Sequence, residues 1–319
     1  MNKYIFMIML IMGTMTSISS YSWFGMWMGL EINLLSFIPL MKNNNDISNE
    51  SMIKYFIIQS LASMILLLSI ISFNYYNLMM NCALLTKLGA APFHFWFTQV
   101  MESLNWFNAF LLLTWQKIAP LIMMTYNIQM NLFILIIIFN MIISGMMSFN
   151  QNSLRMILTY SSINHIGWMI SSLMFKKLIL LNYFSIYAIS NLMIIYFFNK
   201  MNFYMKFQLS SKIMKNLLKI FLMMNFMNLG GIPPFIGFYP KWLIMNNLME
   251  NSMMMLMFVM IMLTLLMLFI YMNLLLSNFM LSSNKFIFNM KITNMFWFYW
   301  SNFLFLNSLL TMILLMNFL

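Results

Sequence analysis

Glu31 lies in the middle of GLEINLLSF, Lys87 within TKLGAAPFHFW and Lys117 within LLLTWQKIAPLI. Each stretch is apolar enough for the centre of a bilayer, where an ionised side chain costs about 2.5–3.5 kcal/mol on insertion scales. Three such groups cost about 8–10 kcal/mol together, whereas one interhelical hydrogen bond in a membrane contributes about 0.6–2 kcal/mol. Holding helices together therefore does not account for them. Proton transfer does, because burial disfavours an ammonium and a nearby carboxylate favours it. A Glu31–Lys87 pair then has two settings, one keeping the proton on Lys87 and one expelling it toward Lys117 or water. The competing expectation is a permanent buried ion pair that fixes helix register. A single carboxylate outside the loops cannot neutralise both lysines, so that reading leaves Lys117 unexplained.

His94 follows Pro92 closely and could carry protons between Lys87 and Lys117, since imidazole titrates near neutrality. It could equally hold an interrupted backbone by a hydrogen bond. The stretch LRMILTYSSINHIGWM gathers Tyr160, Ser161, Ser162, Asn164 and His165, groups able to hold a file of waters. The same small polar residues also let helices pack closely, and both readings stand at this point. Two histidines on separate segments could ligate one haem at most, and Cys82, the single cysteine, excludes a thiolate zinc site or a cysteine-held iron–sulfur cluster within the chain. No cofactor or metal is expected in the chain. Phosphate loops, nucleophile elbows and zinc motifs are also missing, so nucleotide, nucleic-acid or hydrolytic chemistry has no support.

The elements that must position these groups follow from composition. The 319 residues are 63% hydrophobic and 7% charged, which suits an integral, all-α polytopic membrane protein and no water-soluble surface. With about 20 residues per crossing, the chain divides into about eleven candidate spans. They lie near 3–21, 23–41, 53–73, 78–97, 106–125, 131–149, 153–175, 178–199, 216–246, 252–279 and 294–318. No Arg-rich, Ser-rich leader precedes the first span, and nothing is expected to be cleaved. The 44 methionines read as lipid-facing filler from a nucleotide-biased genome. Lys3, Lys42, Lys54, Arg155, the lysines from 200 to 219, Lys285 and Lys291 share one face, against Lys176, Lys177 and Lys241 on the other. The positive-inside rule then puts the N-terminus inside and the C-terminus outside. Asp46, Glu50, Glu102 and Glu250 are expected in or near loops.

Glycine and proline interrupt two spans. Gly89 and Pro92 break the fourth; Gly230, Gly231, Pro233 and Pro234 break the ninth, within LGGIPPFIGFYPKW, and would draw Lys241 inward. The breaks are five spans apart, and five is odd, so a duplicated five-helix unit would enter the membrane inverted the second time. One membrane domain, 1–319, is thus expected with repeats at about 1–125 and 131–279 and an extra helix at about 294–318. Paired discontinuous helices in inverted repeats are a transporter's architecture. Simple proline kinks in packed helices are the plainer alternative.

GLEINLLSFIPL, TKLGAAPFHFW, TWQKIAP, LRMILTYSSINHIGW and LGGIPPFIGFYPKW together, in this order, resemble the antiporter-like membrane-arm subunits of mitochondrial NADH dehydrogenase, respiratory complex I. The likeness runs to about residue 250, and the nucleotide bias is similar to that of an insect mitochondrial genome. The resemblance implies a proton-translocating subunit driven by quinone reduction in neighbouring chains, which hold the NADH, FMN, iron–sulfur and ubiquinone sites. It implies that Glu31 modulates Lys87, that Lys117 continues the path, that the run ending at His165 links it, and that Lys241 serves the exit side. It further implies the mitochondrial inner membrane, with other membrane-arm subunits and lipids such as cardiolipin as partners. Met156 departs from the pattern, standing where many relatives carry a second basic residue. A stand-alone cation/proton antiporter and a non-pumping structural linker are the alternative functions.

Overall fold

The computed structural model describes residues 3–42, 46–72, 76–211 and 216–280. The span expected at 294–318, together with Lys212, Lys215, Lys285 and Lys291, lies outside the described residues. Within them the chain forms fourteen helical segments. These are α1 (Lys3–Ser19), α2 (Trp23–Met41), α3 (Asp46–Ile71), α4 (Tyr76–Leu88), α5 (Phe95–Ser103), α6 (Trp106–Leu113), α7 (Trp115–Met124) and α8 (Met130–Ser148). They continue with α9 (Leu154–Leu173), α10 (Lys177–Met201), α11 (Lys206–Ser211), α12 (Asn216–Gly230), α13 (Phe238–Glu250) and α14 (Met254–Met280). Six stretches among the described residues are long and apolar enough to cross a membrane, and α1 and Leu218–Gly230 are shorter apolar helices.

Two compact units divide the chain, Met1–Ile143 and Ser144–Leu319. In the first, α1 and α2 approach until backbone touches backbone. A Cβ on Gly29 would reach the Ser17 amide nitrogen at 2.5 Å, and one on Gly13 the Asn33 nitrogen at 2.8 Å. Small residues permit this approach, which is how membrane helices gain packing without a hydrophobic drive. It anchors α2, the helix bearing Glu31 and Asn33. In the second unit α12 packs on α14 and α10, and α9 on α10 and α13. Exposed Met255, Met262, Phe269 and Leu276 give α14 an apolar outer surface suited to hydrocarbon.

Three features differ from the sequence expectation. The third helix begins at Asp46, so KNNNDISNE is partly helical. A carboxylate near a helix N-terminus is favourable, and Glu50 pairs with Lys54 one turn on, Oε1 to Nζ 2.6 Å. Glu102 and Glu250, expected near loops, lie in the last turns of α5 and α13. The span expected as one helix at 106–125 is interrupted at Thr114, whose φ of −119° and ψ of −71° separate α6 from α7. Pro120 cannot donate to the Gln116 carbonyl and crowds it. The Thr114 hydroxyl donates to Phe110 O at 2.7 Å, and Lys117 N–H donates to Thr114 O at 3.1 Å, a tightened turn. Finally, a six-residue helix, α11, forms in what read as loop, beside the Ser153–Met205 bridge.

Candidate functional site

The two breaks expected from glycine and proline are built alike. After α4, Gly89 takes φ +71°, its N–H donates to Thr86 O, and Ala90 N–H donates to Leu85 O. After α12, Gly231 takes φ +77°, its N–H donates to Asn228 O, and Ile232 N–H donates to Met227 O. Both are Schellman endings, in which a left-handed residue folds two amides back onto orphan carbonyls. Pro92 follows the first at three residues; Pro233 and Pro234 follow the second at two and three. An asparagine carboxamide then ties each of the turns that follow. Asn140 Oδ1 on α8 accepts from Ala91 N–H at 2.6 Å, and Asn228 Oδ1 accepts from Gly237 N–H at 2.7 Å. The Nδ2 group of each asparagine is buried without a hydrogen-bond partner.

In the first unit Lys87 ends α4, and Lys117 opens the piece of helix after the Thr114 break. The two lysines, 7% and 1% exposed, line one cavity. Asn33, Tyr55, Gln59 and Gln116 complete its polar wall, with Leu30, Trp96, Phe97 and Pro120 among its apolar neighbours. Its space for the centres of water molecules is ≈ 20 Å³, and about 10–15 Å³ admits one water. Gln116 Nε2 donates to Asn33 Oδ1 at 2.9 Å, Gln59 Nε2 to Lys87 O at 3.4 Å, and Trp96 Nε1 to Thr86 O at 3.0 Å. These bonds fix the cavity walls. Lys117 Nζ stands 5.3 Å from the centre of the Phe97 ring, a cation–π contact. Glu31 is not in the cavity wall; its carboxylate is within electrostatic reach of Lys87, and its Oε1 is buried without a hydrogen bond. His94 is buried, and its Nδ1 lies 3.3 Å from Pro92 O, against the backbone of the break itself.

In the second unit Lys241, in the first turn of α13, points back at the end of α12. Its Nζ donates to Gly230 O at 2.8 Å and Leu229 O at 3.4 Å, and lies 5.7 Å from the Trp168 ring centre. The counter-charge of this buried ammonium is thus the carbonyl end of a helix. On α9, His165 Nδ1 is 2.7 Å from Tyr183 Oη, and Asn164 Nδ2 donates to Ser144 Oγ at 3.3 Å. Ser161 and Ser162 donate to their own helix, to Leu158 O and Thr159 O. The Tyr271 and Tyr187 phenols lie within reach of Ser161 and Ser162 respectively. Tyr160 is also buried on α9.

The sequence reading did not single out Gln59, Gln116, Asn140, Asn228, Tyr183, Tyr187 or Tyr271. A signal existed for two of these, since Gln59 and Asn140 each interrupt an apolar run with an amide. Among the described residues no three His, Cys, Asp or Glu side chains gather as a metal site.

A bundle whose interrupted helices end on buried lysines is a transporter-like membrane protein, and comparison with known proteins narrows the class. The family described as NADH:quinone oxidoreductase/Mrp antiporter, TM matches residues 20–78 and 71–267. A chain of respiratory complex I from Thermus thermophilus superposes with a TM-score of 0.85 at 18% identity, over 96% of this chain and 77% of that one. The Mrp complex from Dietzia sp. DQ12-45-1b gives 0.74 at 15% identity, over 84% and 59%. Among curated relatives, NADH-ubiquinone oxidoreductase chain 2 of Anopheles gambiae is 46% identical over 76% of both chains. The chain 2 of Aedes aegypti is 47% identical over 77% of this chain and 76% of its own length. The chain belongs to the NADH:quinone oxidoreductase/Mrp antiporter family, in its NADH-ubiquinone oxidoreductase chain 2 branch.

Proposed function

We propose that this chain is an antiporter-like subunit in the membrane arm of mitochondrial complex I and that it moves protons through the Lys87–Lys117 cavity. The supporting observation is that cavity: two buried lysines face one space large enough for water, with a carboxylate in electrostatic reach of the first. When Glu31 is ionised and close, it stabilises the Lys87 ammonium. When that charge is neutralised or withdrawn, desolvation favours loss of a proton from Lys87 Nζ through water to Lys117. The drive comes from quinone reduction in other chains, and must exceed about 2.3 kcal/mol per charge moved against 100 mV.

The finer assignments follow the same reading. About eleven crossings form two inverted five-helix repeats, and the matched Schellman breaks at Gly89 and Gly231 support that duplication. His94 steadies the first break and exchanges protons beside it; the Tyr160–His165 run links the path; Lys241 serves the exit side. The chain sits in the inner membrane with its N-terminus on the matrix side and its C-terminus toward the intermembrane space. It packs against other membrane-arm subunits and lipid, cardiolipin included, and leaves the redox groups to its partners.

Lys87→Met in the assembled complex tests this. Methionine fills the volume and carries no proton, so assembly and NADH oxidation in uncoupled membranes should persist while protons pumped per two electrons fall. A parent-level ratio in that variant rejects the proposal and leaves a structural linker. Proton-for-cation exchange by the purified chain alone in liposomes would favour the stand-alone antiporter.

A further inference from the structure

Three tyrosine rings from two helices are buried near His165: Tyr183 and Tyr187, one turn apart on α10, and Tyr271 on α14, each 2% exposed. Tyr183 Oη is 2.7 Å from His165 Nδ1, and the Tyr187 ring centre is 4.9 Å from that of His165. The three phenols lie within electrostatic reach of one another. At their outer ends the Tyr187 phenol lies within reach of the Ser162 and Asn191 side chains, and the Tyr271 phenol within reach of Ser161. This row is polar throughout. Packing does not require it, since phenylalanine fills the same volume without a hydroxyl to desolvate, and the chain contains 33 phenylalanines.

We propose that Tyr183 relays protons to His165 Nδ1, with Tyr187 and Tyr271 extending the relay to the serines of α9. The proposal rests on the reading that the chain conducts protons. A phenol both donates and accepts, so it can pass a proton without holding a charge. In neutral His165 with its proton on Nε2, Nδ1 accepts from the Tyr183 O–H. As the Tyr183 O–H bond breaks and Nδ1–H forms, a neighbouring hydroxyl or water supplies the replacement proton to Tyr183 oxygen. The imidazolium then loses its Nε2 proton onward. One proton enters the hydroxyl row, one leaves the imidazole, and no tyrosinate remains. The imidazole is left with its proton on Nδ1, and Nδ1 accepts again only after that proton returns to Nε2 through water while the Tyr183 hydroxyl rotates back to donate.

Tyr183→Phe, His165→Gln and Lys87→Met, each within the assembled complex, test it by protons pumped per NADH oxidised, normalised to assembled complex. Tyr183→Phe should lower that ratio to the His165→Gln value, and joining the two changes should lower it no further. Tyr271→Phe, at the far end of the row, should give a partial loss. A packing role predicts the parent ratio in Tyr183→Phe. That result, with His165→Gln and Lys87→Met both impaired, overturns the relay and leaves the proton path standing. Should Lys87→Met also keep the parent ratio, the proton-carrying function itself has failed. An unchanged ratio in Tyr271→Phe removes the extension to α9.

Discussion

Gly230 and Gly231 are adjacent, yet alanine should act oppositely at the two. At Gly231 the backbone has φ +77°, a region that costs an ordinary L-residue about 1–2 kcal/mol. The added Cβ would also stand 2.9 Å from both Cδ and Nζ of Lys241. The end of a lysine can swing aside, so the clash adds little to the folding cost, but the ammonium must then leave its 2.8 Å bond to Gly230 O. A hydrogen bond to a charged group is worth about 1.5–3 kcal/mol, so the lysine is displaced from its favoured site. At Gly230 the Cβ would meet Leu268 and Tyr271 at 3.7 Å, ordinary contact, in a helical residue. Alanine there should stabilise the helix by about 0.5–1 kcal/mol. Both variants would be compared by native-gel yield of the complex, its half-life on heating, and protons pumped per two electrons. Gly231→Ala should shorten the half-life and impair pumping beyond what its reduced yield explains, while Gly230→Ala matches or exceeds the parent. Equal behaviour of the two, or parent-level pumping with Gly231→Ala, would refute the assignment of Lys241 to the carbonyl end of α12.

Asn140→Leu leaves the Ala91 N–H buried without its 2.6 Å acceptor and should cost about 1–3 kcal/mol, read as a shorter half-life on heating. Asn140→Asp keeps an acceptor and should recover most of that loss. Gly29→Ala drives a Cβ to 2.5 Å from the Ser17 backbone and should destabilise the α1–α2 pair by about 1–3 kcal/mol, measured as lost assembled complex. Lys54→Ala removes one side of an exposed pair and should leave yield, half-life and pumping at parent levels in physiological salt.

Much of the scaffold was legible because a bilayer enforces simple rules. Apolar runs bounded by polar clusters located α2 to the residue and α8 to within one, and Gly–Pro clusters located both Schellman breaks. The break at Thr114 escaped because threonine is no breaker by itself; only the combination of its hydroxyl with Pro120 on the same apolar run opens the backbone. Asp46–Glu50 read as loop because Asn-rich polar sequence competes with helix. The i,i+4 pair and the N-terminal carboxylates tip it the other way. For the site, the rare charges were conspicuous against hydrocarbon, which is why Glu31, Lys87 and Lys117 stood out, whereas Lys241 came into view only through the broken ninth span and the family resemblance. Neutral partners did not, since tyrosine and asparagine are ordinary in any helix. Tyr183 and Asn140 gain meaning only from what folding sets beside them, an imidazole nitrogen in one case and an uncoiled amide in the other.

The pairing of Lys241 with Gly230 O and Leu229 O bears on how such a protein endures drift. An ammonium neutralised by an aspartate depends on one codon, and a single base change strands it in oil. Main-chain oxygens are present whatever the codon specifies, so their attraction for the lysine survives replacement of either residue that keeps the local bend. A genome pressed toward a narrow alphabet can therefore rewrite most of this helix end and still keep the cation in place.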